Sequence, residues 1–209
     1  MRILYFFEDR AQEGFIRALV ERIAQEMSIP LSSLDHDIRS AQHGSRVITE
    51  FKRFAKDTMG ANPSDVALLI VAIDGNCRGY RERVEELKKF LDRHPKSKRA
   101  IKPGHPFRDK VIYAVPDPHI ERWYLMDQRA FKLGVGIDRA PELPSYKCKK
   151  DYYKQSLNKA LRDSDVESLL NGAEYAEKIV ASIRSLDSLA NQNAGFGHFI
   201  EDLRRFFRA

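Results

Sequence analysis

Three acidic residues follow three apolar segments of the chain, and their placement suggests a site for a cation. They are Glu8, Asp74 and Asp117. If the apolar segments are neighbouring parallel strands, these carboxylates lie at one edge of the sheet, where open α/β sheets bind their ligands. Carboxylate oxygens without a nearby thiolate or imidazole ligand favour Mg²⁺ or Mn²⁺ over zinc. The alternative, that the three acids are helix caps and turn formers, stays open at this point.

The segments that position these acids alternate between short apolar runs and amphipathic stretches. The apolar runs predict buried strands, and they lie at 3–7, 66–73 and 111–115. Apolar residues at helical spacing predict helices at 12–27, 47–55, 78–91 and from about 119 onwards. Residues 29–45 are expected to form a loop. This alternation predicts an α/β protein with a parallel sheet and helices on both faces.

The pattern changes after Asp127. Residues 131–150 resemble a loop, because glycine and proline recur through them. Three helical segments are then expected, at 152–161, 174–189 and 196–207. We therefore predict an α/β core at 1–127 and a helical C-terminal extension at 128–209 that packs on the core.

Composition limits the class of protein. The chain has 209 residues, 43% of them hydrophobic and 32% charged, which is typical of a globular protein. No apolar run approaches the roughly 20 residues that a membrane span needs, so no membrane partner is expected. Cys77 and Cys148 have no second cysteine or histidine at zinc-ligand spacing. Free thiols and a cytoplasmic location are therefore expected.

Positive charge is concentrated in one segment. Residues 93–110 hold seven basic residues and one acid, and so carry as much net charge as the whole chain, which is +6. Such a segment suits a polyphosphate partner, although a solvated loop would have the same composition. The candidate phosphate contacts in it are Lys96, Lys98, Arg99 and Lys102. Arg78 and Arg81 join them at the start of a predicted helix, where backbone amides also favour anions.

Three motifs resemble a known domain family in their joint order. Phe7-Glu8-Asp9-Arg10-Ala11-Gln12-Glu13-Gly14-Phe15 resembles the start of Toprim-like domains, in which a strand, a Glu, a loop, a second Glu and a helix follow one another. Ile70-Val71-Ala72-Ile73-Asp74-Gly75-Asn76 is similar to their apolar strand followed by Asp-x-Asp. The segment Ala114-Val115-Pro116-Asp117-Pro118-His119-Ile120-Glu121-Arg122-Trp123-Tyr124-Leu125 resembles one in small bacterial Toprim-like families of unknown or phage-defence function, including relatives of the RloB proteins. The resemblance covers roughly residues 1–130.

The resemblance implies metal-assisted phosphodiester chemistry with Mg²⁺ or Mn²⁺. By position, Glu8 would be the general acid/base or a metal-positioning group, and Asp74 a metal ligand. Asn76 stands where the family has a second Asp, and its neutral amide would bind a divalent ion more weakly. Asp117 or Glu121 would supply the missing charge, with Asp9 as another candidate.

The leading hypothesis is therefore a Mg²⁺-dependent nuclease, or a nuclease subunit, that acts on DNA or RNA, in phage defence beside a partner ATPase. The alternative is a catalytically weak Toprim-like module that binds nucleic acid or a partner protein. Three nearby features have ordinary structural explanations. Trp123 is expected in the core, and His119 is expected to begin a helix rather than move protons. The run from Tyr146 to Lys154 mixes basic and aromatic residues, which fits either a solvated helix start or a grip on single-stranded nucleic acid.

Overall fold

The computed structural model describes residues 1–40, 44–58, 65–92, 105–143, 145–149 and 151–209. Its centre is one parallel sheet of four strands, in the order β2-β1-β3-β4. The strands are β1 (Arg2–Phe7), β2 (Asp35–Ser40), β3 (Leu68–Ala72) and β4 (Val111–Ala114). The predicted α/β class, with a parallel sheet and helices on both faces, is confirmed.

Helices connect the strands and make up the C-terminal part of the chain. Those of the strand-rich half are α1 (Arg10–Glu26), α2 (Gly44–Asp57), α3 (Gly79–Asp92) and α4 (Ile120–Leu125). The later ones are α5 (Gln128–Val135), α6 (Tyr152–Asp163), α7 (Ala176–Ser182), α8 (Leu186–Gln192) and α9 (Ala194–Arg208). In the described ranges, no helix combines the length and the apolar composition that crossing a membrane requires.

Strands β1, β3 and β4 are buried on both faces, and successive side chains of each of them enter different hydrophobic clusters. In β1, Tyr5 joins the cluster that contains α1, whereas Phe6 joins the one that contains α2 and α3. The apolar run at β3 divides in the same way, with Ile70 on the first face and Val71 on the second. A continuous apolar run is what a strand covered by helices on both sides needs.

The order of the strands in the sheet changes direction at β1, because β2 lies on one side of β1 and β3 on the other. The point between β1 and β3 is therefore where a ligand is expected. From β1 the chain passes through α1 to β2 on one side, and α2 then returns it to β3 on the other side. Tyr5 pairs with Ile70 in the register of the two central strands. Open α/β sheets bind ligands at such a switch point, beyond the carboxyl ends of the strands.

The C-terminal helices share a hydrophobic core with the first face of the sheet. Trp123 of α4 is 1% exposed and packs edge-on against Phe196 of α9, so the expected core role of this residue is confirmed. Close approach is needed between α5 and α7, since a Cβ on Gly134 would lie 2.5 Å from the backbone N of Ile179. The same cluster contains residues from both sides of Asp127.

Three sequence-based boundaries are wrong, and each has a local cause. The expected loop at 29–45 contains β2, an edge strand whose polar sequence DHDIRS lacks an apolar run. The expected loop at 131–150 begins later, because α5 continues to Val135 and ends at Gly136 in a left-handed conformation. The helix expected at 174–189 is divided into α7 and α8, since Ile183 is extended and Ser185 caps the next helix.

Candidate functional site

Glu8 and Asp74 meet at the carboxyl edge of the sheet, at the switch point between β1 and β3. Glu8 follows the last residue of β1, and Asp74 lies just beyond the end of β3. The backbone N–H of Asp74 donates to Oε2 of Glu8 over 2.9 Å. The structure therefore brings together the two residues to which the sequence assigned the leading roles.

The carboxylate of Asp74 is held by neutral donors and one imidazole. Its Oδ1 accepts from Nε2 of Gln12 at 2.9 Å and from the backbone N–H of Ile120 at 3.1 Å. Its Oδ2 lies 3.0 Å from Nδ1 of His119. The guanidinium of Arg83 reaches only the carbonyl oxygen of Asp74, at 3.1 Å. Within the described residues, the carboxylate therefore has no Lys or Arg partner.

Gln12 is the residue of this cluster that sequence reasoning missed. It is completely buried in the first turn of α1. While its Nε2 donates to Asp74, its Oε1 accepts from the backbone N–H of Glu8 over 3.0 Å. The available signal was its spacing, because Gln12 lies three and four positions before Phe15 and Ile16 and so shares the apolar face of the helix, where a side-chain amide requires partners.

His119 begins α4, as expected, but its side chain also belongs to the cluster. It occupies the N-cap position without a side-chain capping bond. When Asp74 is ionised its carboxylate only accepts hydrogen bonds, and Nδ1 of His119 then carries the proton of the bond between them. This bond raises the pKa of His119, while burial opposes the rise. We call Glu8, Gln12, Asp74 and His119 the carboxylate site.

Acidic groups at this site are difficult to ionise. Burial raises the pKa of Asp74 to about 6; the negative charges of Glu8 and Asp9 add to the rise, and His119 opposes it. Burial also raises the pKa of Glu121 to about 7, with the charge of Asp74 as the next cause. The buried carboxyl group of Asp74 and the half-buried one of Glu121 repel each other, and a bound cation relieves such repulsion.

The oxygen ligands of this site suit magnesium better than a metal ion that takes all of its ligands from the protein. Among the residues that the structure describes, no group of three or more His, Cys, Asp or Glu side chains is placed to hold a metal ion. Mg²⁺ usually keeps several waters and is bound through one or two carboxylates together with substrate phosphates. Oε1 of Glu8 accepts no hydrogen bond from the described part of the chain, and Oδ2 of Asp74 accepts one. Glu8 and Asp74 would therefore hold such an ion.

Among the described residues, the side chains of Asn76 and Asp117 form no hydrogen bond with the carboxylates of Glu8 and Asp74. Asn76 is exposed, adopts a φ of 47°, and its Nδ2 donates to the carbonyl oxygen of Asp74 at 3.4 Å. Asp117 accepts from the backbone N–H of Cys77 at 3.0 Å and from the hydroxyl of Tyr146 at 2.8 Å. A Cβ on Gly75 would lie 2.4 Å from Oδ1 of Asp117, so glycine is required there. Asp117 thus organises the turn after β3.

A disulfide joins Cys77 to Cys148, and the expectation of free thiols is wrong. This bond could not be predicted, because the two cysteines lie 71 positions apart and only the fold makes them neighbours. The disulfide ties the segment at 145–149 to the turn that follows Asp74. This arrangement brings Tyr146 next to Asp117.

The candidate phosphate contacts have different surroundings. Arg78, which directly precedes α3, is paired with Glu82 and Glu86 of that helix, at 2.5 and 2.9 Å. Arg81 is exposed on the first turns of α3. The remaining predicted contacts, Lys96, Lys98, Arg99 and Lys102, lie outside the described residues.

Comparisons with known proteins identify no relative of this chain. No protein-family model, no curated protein and no solved structure matches the chain.

Proposed function

We propose that this chain is a Mg²⁺-dependent nuclease-type protein that cleaves phosphodiester bonds of DNA or RNA. One observation carries the proposal: Glu8 and Asp74 meet across the ends of adjacent parallel strands, at the switch point of the sheet. The resemblance of the motifs around both residues to Toprim-like domains supports the same chemistry. Mn²⁺ is expected to replace Mg²⁺, since both prefer oxygen ligands.

The chain's own residues divide the work of such a site. Glu8 and Asp74 provide negative oxygens for the ion, which when bound polarises a phosphoryl oxygen and activates water. Gln12 and the backbone N–H of Ile120 fix Oδ1 of Asp74, so that this carboxylate keeps one orientation. Arg81 and the basic segment at 93–110 supply charge for flanking phosphates.

A cleavage assay with matched variants tests the proposal. Single- and double-stranded DNA and RNA are incubated with the protein in Mg²⁺, in Mn²⁺ and in EDTA. Glu8→Gln and Asp74→Asn should each reduce metal-dependent cleavage by on the order of 100-fold, with the circular dichroism spectrum unchanged. Glu85→Gln, which alters an exposed acid of α3, should keep full activity. Cleavage that survives in EDTA or in both site variants would refute the assignment.

A second candidate is a catalytically weak module that binds nucleic acid or a partner protein. Asp74 favours it, because three hydrogen bonds already engage this carboxylate, and Asn76 adds no charge where the family has a second Asp. This candidate predicts no cleavage under any metal condition. Nucleic-acid affinity should then be unchanged in Glu8→Gln and Asp74→Asn, and reduced when Lys96, Lys98 and Arg99 are replaced by alanine.

The proposal also includes a partner protein and a cellular location for this chain. A partner ATPase is expected to co-purify with the tagged chain, and a subunit role predicts that cleavage depends on that partner and on ATP. A cytoplasmic location is expected as well. There the bond between Cys77 and Cys148 would be reversible, because cytoplasmic disulfides are usually transient. Cell fractionation with trapping of free thiols checks both statements.

A further inference from the structure

An exposed aromatic ring stands beside the carboxylate site. Tyr146 is 48% exposed, whereas Tyr153 of the neighbouring helix α6 is fully buried. We infer that Tyr146 is a stacking surface for one unpaired base of the nucleic acid, which makes single-stranded DNA or RNA the substrate class. This inference rests on the proposed function, and it adds a binding contact outside the carboxylates.

The position of Tyr146 follows from a short chain of contacts. Its hydroxyl donates to Oδ2 of Asp117 over 2.8 Å. Asp117 lies two residues before His119, whose Nδ1 bonds to Asp74. Asp117 also lies against Gly75, the residue next to Asp74, so a base on this ring would belong to a nucleotide near the phosphate that Glu8 and Asp74 would address.

The ring of Tyr146 is fixed before any ligand arrives. The guanidinium carbon of Arg122 lies over the ring, 5.0 Å from its centroid. Arg122 is itself anchored, because its NH1 donates to the carbonyl oxygen of Asp117 over 2.9 Å. The hydroxyl and the guanidinium hold the ring, and almost half of the residue remains exposed. A base that stacks there pays little entropy for ordering the side chain.

The disulfide holds the backbone of the same segment in place. Cys148 lies two residues after Tyr146 and is bonded to Cys77, whose N–H donates to Oδ1 of Asp117. Both oxygens of Asp117 thus receive a bond, one from each side of the disulfide. A segment fastened in this way positions an aromatic ring more firmly than a free loop would.

The neighbours of Tyr146 have the charge that a nucleotide strand requires. Lys147 and Lys149 are exposed on either side of Cys148. Proteins that grip single strands combine cationic side chains for the backbone with aromatic rings for the bases. In a duplex, each base is already stacked between its neighbours, so the ring has no free base face to cover. The contact should therefore distinguish single strands from duplexes.

Binding measured without cleavage tests this inference. The Asp74→Asn chain is titrated, in EDTA, into a fluorescent single-stranded oligonucleotide that contains 2-aminopurine. Adding Tyr146→Ala should weaken binding by about 10-fold and abolish the 2-aminopurine quenching on binding. Tyr146→Phe and Tyr146→Trp should retain both. Leu133→Ala, which removes another exposed apolar side chain, should bind as the parent does.

Three results would overturn the inference. The first is equal affinity of Tyr146→Ala and its parent for single strands. The second is a Tyr146→Phe variant as weak as Tyr146→Ala, since that would assign the effect to the bond with Asp117. The third is an equal loss on duplexes. The binding assay needs neither metal nor turnover. A negative result for Tyr146 therefore leaves the nuclease proposal intact, and a positive result is possible even if the chain never cleaves nucleic acid.

Discussion

The side-chain amide of Gln12 links the ends of two strands by donating from Nε2 to Oδ1 of Asp74 and accepting at Oε1 from the N–H of Glu8. The amide is fully buried, so neither of its polar atoms has water as an alternative partner. It sets the distance between Glu8 and Asp74 without contributing a charge. Gln12 is therefore a positioning residue of the carboxylate site.

Gln12→Ala should lower both stability and metal-dependent function. It leaves the backbone N–H of Glu8 without its partner and removes one of the two hydrogen bonds to Oδ1 of Asp74, which costs about 1–3 kcal/mol of unfolding free energy. Asp74 is then held only by its bonds to Ile120 and His119, so its orientation is less well defined and the concentration of Mn²⁺ needed for half-maximal cleavage should rise. Urea unfolding and a metal titration measure the two effects. Gln25→Ala, on an exposed position of the same helix, is the control. A normal metal requirement in folded Gln12→Ala would exclude the positioning role.

The central part of the fold could be predicted because its signals are local. Apart from Arg2, the segments that form β1, β3 and β4 are apolar, which is what strands covered on both faces require. The carboxyl ends of parallel strands lie at the same edge of a sheet. Glu8 and Asp74, which follow two of these strands, are therefore expected at that edge. Edge strand β2 could not be predicted from an apolar run, because its residues are mostly polar. Backbone pairing with β1 holds it in the sheet, and that pairing leaves no pattern in the side chains.

The remaining site features depend on contacts between distant residues. His119 and Asp74 are 45 positions apart, and nothing in the local sequence distinguishes a helix-entry histidine from one bonded to a carboxylate. The orientation of the Asp117 side chain likewise depends on residues distant in the sequence, because Cys77 and Tyr146 both donate hydrogen bonds to it. Strand-end placement correctly located these residues near the edge, but it could not show which oxygen each one bonds.

Glu121→Gln should change how stability depends on pH. Burial raises the pKa of Glu121 to about 7 in the folded protein, above the ordinary value of 4.5. The folded state therefore binds a proton between pH 4.5 and 7 that the unfolded chain has released. The stabilisation by this proton is complete below about pH 4.5 and is lost as the pH rises through about 7, with an upper limit on the order of 3 kcal/mol.

Urea unfolding at pH 5 and pH 8, in EDTA, measures this effect. Relative to the parent, Glu121→Gln should gain stability on going from pH 5 to pH 8, because the amide has no charge to bury. Asp74, whose pKa is raised to about 6, remains in both proteins; because its charge and that of Glu121 repel each other, the substitution eases the ionisation of Asp74 and adds to the same gain. Glu85→Gln should show no such gain, since Glu85 is exposed. A pH-independent difference between Glu121→Gln and its parent would contradict the assignment.

Gly134→Ala should loosen the C-terminal helices from the rest of the core. The added Cβ would lie 2.5 Å from the backbone N of Ile179, so α5 and α7 must move apart. Overpacking of this kind costs about 1–3 kcal/mol. Thermal unfolding measures the loss, with Lys132→Ala at an exposed position of α5 as the control. If both variants melt like the parent, the close packing of α5 on α7 is wrong.

The bond between Cys77 and Cys148 should stabilise the whole chain, because it closes a loop across 71 positions. In the chain-entropy model a loop of that length contributes roughly 4 kcal/mol. The double variant Cys77→Ser, Cys148→Ser should therefore unfold at a lower urea concentration than the oxidised parent. Dithiothreitol should lower the parent to the same midpoint and leave the variant unchanged. Two thiols that react with maleimide in the native, unreduced protein would show that the bond does not form, and Tyr146 would then lose its covalent anchor as well.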